Sequence, residues 1–188
     1  MLGKTRNSNI IIVTAPSGCG KTTLINMLLK KHTDIEFSIS TTTRQPRGNE
    51  QHGVNYYFTS IDEFKNMISQ DEFVEWAKVH GNYYGTQYSE IKRILDKGNK
   101  CLLDVDVQGG LNLMKIFPGC KSIFIEPPSV DELERRLRDR KTDSEDTIRL
   151  RMQDSIDELM FKDNYRYRVL NDKLENAFIE IERIIYDE

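Results

Sequence analysis

The residues best suited to chemistry form a short run near the N-terminus, Ala15-Pro16-Ser17-Gly18-Cys19-Gly20-Lys21-Thr22. Gly18 and Gly20 can take backbone angles that turn successive N–H groups inward, and a helix beginning just after Gly20 adds its unpaired N-terminal N–H groups to the same anion. Lys21 brings a mobile full charge and Thr22 a hydroxyl suited to magnesium. The run matches the GxxxxGK[ST] phosphate loop except at its first position, where Ala15 replaces glycine; alanine fits there if φ is negative. Such a loop fixes a nucleoside triphosphate but not a reaction, because NTPases, kinases and regulatory GTPases all share it.

Three further groups carry polar side chains in suggestive patterns. Arg44 and Arg47 flank Pro46 and are followed by Tyr56-Tyr57; Gly81-Asn82-Tyr83-Tyr84-Gly85-Thr86 comes later. Asp104 and Asp106 end a buried run, the place where an acid orients magnesium-bound water or a neighbouring base-binding group. Asp106 is equally suited to capping the next helix. From Arg135 to Lys141 five of seven residues are basic, with Arg149 and Arg151 beyond an acidic stretch, a pattern of a solvated helix face or of a polar lid.

The elements that must position these groups are legible from periodicity. The β-branched run 10–13 predicts a strand buried on both faces, and Leu24, Ile25, Leu28 and Leu29 predict an amphipathic helix from Gly20 to about His32. Runs 100–106 and 122–125 predict two more buried strands, and Tyr167–Leu170 another. Ser60 with Glu63 and Ser129 with Glu132 have the spacing of capping boxes. Segments 35–41, 54–59 and 72–79 predict short strands of a mostly antiparallel insert, with one helix near 61–69. The last helix, Leu174–Tyr186, turns Leu174, Ala177, Phe178, Ile181, Ile184 and Ile185 to one side and should dock on the sheet. Alternating strands and helices favour an α/β chain with a parallel sheet.

Composition narrows the partners. The 188 residues, 38% hydrophobic and 30% charged, suit one compact domain with inserted segments. A net charge of -3 gives no general field for a nucleic-acid backbone, so a bound anion must meet a local cluster of donors. No apolar stretch approaches the ~20 residues that span a bilayer, and no signal-peptide pattern is present, so a cytoplasmic protein with no membrane partner is expected. Cys19, Cys101 and Cys120 lack paired spacing; two are read as buried fillers and Cys19 as a small loop residue.

Taken together, the phosphate loop, the stretch 40–50, Glu72-Phe73-Val74-Glu75-Trp76-Ala77, the 81–86 motif and 102–109 resemble the guanylate kinase family over nearly the whole chain. The resemblance implies a P-loop three-layer α/β fold with a parallel central sheet, a small mostly antiparallel GMP-binding insert at 35–87 and a helical lid at about 135–155. The core would then comprise 1–34 and 88–188. It also implies transfer of the γ-phosphoryl of ATP to GMP with magnesium, by a monomer or homodimer.

By similarity the guanine contacts fall on Glu75, Ser40, Thr86 and Asp104, and the GMP phosphate contacts on Arg44, Arg47, Tyr56 and Tyr84. The lid arginines facing phosphate would be Arg136, Arg140 and Arg151, with Arg135, Arg138 and Arg149 solvated. Asn171 would lie near adenine, and Thr22 and, through water, Asp106 near magnesium. The residue types agree with this: guanine shows two adjacent donors and an acceptor, which a carboxylate beside hydroxyl or N–H donors complements. Two other readings compete with this one. A peptide-binding relative commonly has an eroded phosphate loop, whereas Gly20, Lys21 and Thr22 are intact. A kinase of ribose phosphates would not need the Glu75, Ser40 and Thr86 set.

Overall fold

The structure, a computed structural model, describes residues 8–79, 81–139 and 144–187. The chain runs β1 (Ile10–Thr14), α1 (Lys21–Lys31), β2 (Ile35–Phe37), β3 (Thr41–Thr42), β4 (Tyr57–Phe58), α2 (Ile61–Ser69), β5 (Phe73–Val79) and β6 (Asn82–Gln87). It continues through α3 (Tyr88–Asp96), β7 (Lys100–Asp104), α4 (Val107–Ile116), β8 (Lys121–Glu126), α5 (Val130–Asp139), α6 (Glu145–Leu159), β9 (Tyr167–Leu170) and α7 (Leu174–Tyr186).

Five strands form one sheet in the order β2-β7-β1-β8-β9, and every pairing is parallel. Alternation along β1 assigns its side chains to two cores. Ile11 and Val13 pack with Leu24, Ile25 and Leu28 of α1 and Ala177, Phe178, Ile181 and Ile185 of α7. Ile10 and Ile12 pack on the other side with Ile91 and Ile94 of α3 and Leu113 of α4. Burial on both faces is why the strand reads as an unbroken apolar run. Among the described residues no helix is long and apolar enough to cross a membrane.

The second sheet, order β4-β3-β6-β5, is mostly antiparallel, with β3 and β4 its one parallel pair. Its core is aromatic: Phe64 of α2 stacks on Phe73 at 4.3 Å and on Tyr83 at 5.3 Å between ring centroids. Helix α2 starts at a full capping box between Ser60 and Glu63. At α5 the Ser129 hydroxyl accepts from the Glu132 N–H, but the Glu132 carboxylate turns to Arg135 and Arg136.

Two strand expectations need correction. Residues 35–41 are not one strand of the insert: β2 joins the central sheet beside β7, Ser38 N–H donates to the Leu102 carbonyl at 2.8 Å, and the insert sheet begins only at Thr41. Segment 54–59 shortens to β4, and β6, which carries residues 82–86 of the motif, is a strand that the polar, glycine-containing sequence hid.

Candidate functional site

The phosphate loop links the end of β1 to the start of α1, at the carboxyl edge of a parallel sheet, where ligands of such sheets bind. Gly18 has φ 94° and Gly20 φ 83°, angles that an L side chain rarely adopts. Ala15 is not among the positive-φ residues, so its methyl is tolerated where the usual pattern has glycine. Cys19 N–H closes the turn onto the Pro16 carbonyl at 3.2 Å. Cys19 is a loop residue as expected and is fully buried, and burial pushes its thiol up to about 12, which makes it an inert filler.

Residues 15–23 line a cavity of about 440 Å³ together with Tyr56, Asp104, Val105, Asp106 and Glu158. In it the Lys21 ammonium is ion-paired to Asp104 and donates to the Val105 carbonyl at 3.3 Å. Asp106 caps α4: its Oδ1 accepts from the Gly109 N–H at 2.7 Å. Glu158, at the end of α6, was not singled out from the sequence, where it is one acid among many on a charged helix. Burial pushes its carboxyl up to about 7, against the opposing pull of Lys21, with Asp106 and Asp154 adding to the rise.

A second cavity, about 220 Å³, is lined by Ser40, Tyr56, Glu75, Ala77, Val79, Tyr84, Gly85 and the same Asp104, Val105 and Asp106. The two cavities therefore share a wall at Tyr56 and residues 104–106. Glu75 owes its place to an irregularity in the β5–β6 ladder between Phe73 and Glu75, a device that re-aims a side chain. Burial raises the Glu75 carboxyl above its usual range, opposed by the hydroxyl bond from Thr86. Gly85 is required beside it, since a Cβ there would lie 2.7 Å from the Phe73 ring.

Arg44 is only 9% exposed, donates to Glu50 Oε1 at 2.9 Å and to the Gln45 carbonyl at 2.8 Å, and lies 5.3 Å above the Tyr56 ring. Glu50 also accepts from the Arg47 N–H at 2.8 Å, so one carboxylate holds both arginine positions. That role was not read from the sequence, although the stretch 40–50 contains it.

Several expected residues sit elsewhere than in a cavity wall. Thr86 is buried behind Glu75, its hydroxyl spent on that carboxylate. Arg47 is exposed. Asn171 is buried with its side chain on the phosphate-loop backbone, and Arg136 donates to Glu132 Oε1 and to the Asn171 carbonyl. Arg151 is half-buried on α6, outside the lining of either cavity, and Arg140 lies outside the described residues. Arg135 and Arg138 are exposed and ion-paired to Glu132, Asp139, Glu134 and Glu145, as expected of solvated charges.

Among the described residues no cluster of three or more His, Cys, Asp or Glu gathers as an all-protein metal cage. The Thr22 hydroxyl of the loop and the Asp106 carboxylate on the same cavity are instead the kind of sparse donor set with which magnesium would be held jointly with phosphates.

Comparison with known proteins agrees with this geometry. The sequence profile of the family described as Guanylate kinase matches residues 7–188. Guanylate kinase of Pseudoalteromonas translucida (strain TAC 125) is 47% identical over 177 residues, covering 94% of this chain and 86% of the relative. Guanylate kinase of Synechococcus sp. (strain JA-3-3Ab) is 44% identical, covering 94% and 82%. The crystal structure of guanylate kinase from Anaplasma phagocytophilum superposes with a TM-score of 0.73 at 32% identity, over 94% of this chain and 83% of that one. Sequence, fold and the paired cavities converge, and the chain belongs to the guanylate kinase family.

Proposed function

We propose that this protein is a guanylate kinase, transferring the γ-phosphoryl of ATP to GMP to give ADP and GDP. The observation that carries the reading is the wall shared by the two cavities. A triphosphate cradled at 15–22 and a monophosphate nucleotide held beside Glu75 would meet across Tyr56 and residues 104–106.

Phosphoryl transfer spreads negative charge over the moving group, so positioning and positive charge do most of the work. Lys21, released from Asp104 by the stronger anion, follows the phosphates. Arg44, already fixed by Glu50 and stacked on Tyr56, meets the acceptor phosphate with Tyr56 and Tyr84, while Arg47 swings in from solvent. Arg136, Arg140 and Arg151 add charge from the lid side. Thr22 and, through water, Asp106 would hold magnesium, which neutralises phosphate charge when bound.

Guanine is read by Glu75, with Ser40 and Asp104 beside it and Thr86 fixing the carboxylate. Adenine reverses the donor pattern at positions 1 and 6, leaving a buried carboxylate unpaired, a mismatch that such sites reject by ~10⁴ or more. A coupled ADP-release assay over a panel of nucleoside monophosphates tests this. GMP should be strongly preferred, and equal turnover of AMP or none of GMP would defeat the proposal.

A further inference from the structure

Asn171 joins three parts of the molecule. It is 4% exposed, and its N–H donates to the Glu126 carbonyl at 2.8 Å, extending the β8–β9 ladder. Its side-chain Nδ2 donates to the Cys19 carbonyl at 2.8 Å. Its own carbonyl accepts from Arg136 Nη2 at 3.0 Å, while Arg136 Nε is held by Glu132 Oε1 at 2.8 Å on α5.

The Cys19 carbonyl lies between the two left-handed glycines of the loop. Where successive N–H groups turn inward to an anion, carbonyls must turn outward, and a buried carbonyl needs a donor. Asn171 is that donor. The approach is close: a Cβ at Gly20 would lie 2.5 Å from Asn171 Nδ2, so the amide packed behind Gly20 excludes a side chain there independently of its φ.

We propose that Asn171 is a positioning residue for the phosphate loop, holding the Cys19 carbonyl away from the ligand so that the following amides face the donor's phosphates, with Arg136 tying this clamp to α5. The inference rests on the reading of 15–22 as a triphosphate site. It differs from a contact to the base: a clamp acts on phosphates whatever base they carry.

Inorganic tripolyphosphate, which has no base, separates the two. It is titrated by calorimetry into the full chain, Asn171→Asp and Asn171→Ala; the first keeps size and removes the donor, the second removes the donor without adding charge. Both variants should bind tripolyphosphate about tenfold more weakly, and raise KM for ATP and for a second triphosphate donor by similar factors, with GMP affinity unchanged. Unaltered tripolyphosphate affinity in either folded variant overturns the clamp and leaves the kinase reading standing. A wild-type chain that binds no tripolyphosphate sinks both. In the wild type itself the Asn171 side-chain amide should stay protected from solvent exchange with tripolyphosphate bound; loss of that protection overturns the clamp even if neither variant folds.

Discussion

Thr86 donates its hydroxyl to Glu75 Oε1 at 2.9 Å, from directly opposite it in the β5–β6 ladder. A carboxylate on a half-buried strand would otherwise sample several rotamers, and one neutral donor from behind fixes it without neutralising it. The outward oxygen stays available to a ligand in the smaller cavity, which Glu75 lines and Thr86 does not.

Replacing Glu75 by Gln should therefore lower the GMP-over-AMP ratio of kcat/KM by about 100-fold, since the amide presents an N–H where the carboxylate accepted two bonds. An unchanged ratio removes Glu75 from the specificity role. In the wild type, burial raises the Glu75 carboxyl, so GMP affinity should weaken as pH falls through that raised value and Glu75 takes up a proton. The Glu75→Gln variant should not show this dependence.

Lys21→Met should reduce kcat by about 10³-fold or more while circular dichroism and GMP binding remain close to wild type. The lysine is partly exposed and its ion pair with Asp104 is on a cavity wall rather than in the apolar core, so its loss should not unfold the chain. Near-normal turnover would remove Lys21 from catalysis.

Glu75 was reached only through the resemblance of the 72–77 stretch to the guanylate kinase family, whereas Lys21 was legible in the sequence because the glycines before it form a local pattern with a mechanical reason. Gly18, Gly20 and the apolar runs of β1 and α1 were legible for the same reason, since periodicity and backbone freedom are local. What escaped depends on distant pairings. Nothing near Glu50 says that it holds Arg44, nothing near Asn171 says that its amide reaches Cys19 across 152 positions, and nothing near Glu158 says that α6 returns it to the phosphate loop. The strand β2 was misplaced because three residues of extended chain look alike whether they pair in the insert or beside β7.

Glu158 faces the phosphate cavity with its carboxyl pushed up to about 7 from 4.5, chiefly by burial. A folded-state value above the unfolded one means that the folded protein binds the proton more tightly, so the stability linked to Glu158 is full below 4.5 and is lost as pH rises through about 7. Glu158→Gln, which cannot ionise, should raise Tm by about 3 °C at pH 8, with the gain closing as pH falls. It should also tighten ATP binding at pH 8, because one negative charge leaves the wall of the cavity proposed to take the triphosphate. Equal Tm values for variant and wild type at pH 8 would show that Glu158 is not strained by burial.

Glu90 should behave in the opposite sense. It is 3% exposed, and its Oε1 accepts from the Ile39 N–H at 3.1 Å and from Arg93 at 2.9 Å, while Oε2 accepts from Arg93 at 2.9 Å and from the Tyr57 hydroxyl at 3.2 Å. Ile39 separates Ser38, bonded to the central sheet, from Ser40, whose carbonyl is bonded to Tyr57 of the insert sheet, so this carboxylate pins the crossing between the two. Burial acts to raise the Glu90 carboxyl, but the bonds from Arg93, Ile39 and Tyr57 together hold it below 4.5. Its contribution is therefore full above 4.5 and lost as pH falls through the lowered folded value. Glu90→Gln removes the charge that Ile39, Tyr57 and Arg93 bond to, leaves Arg93 its pair with Glu36, and should cost about 2 kcal/mol, a fall of about 6 °C in Tm at pH 7. Thermal melts carried from pH 7 to well below 4.5 should show a steady deficit above 4.5 that shrinks with further acid; a deficit that stays constant or grows below 4.5 would mean that the Glu90 charge does not hold the crossing.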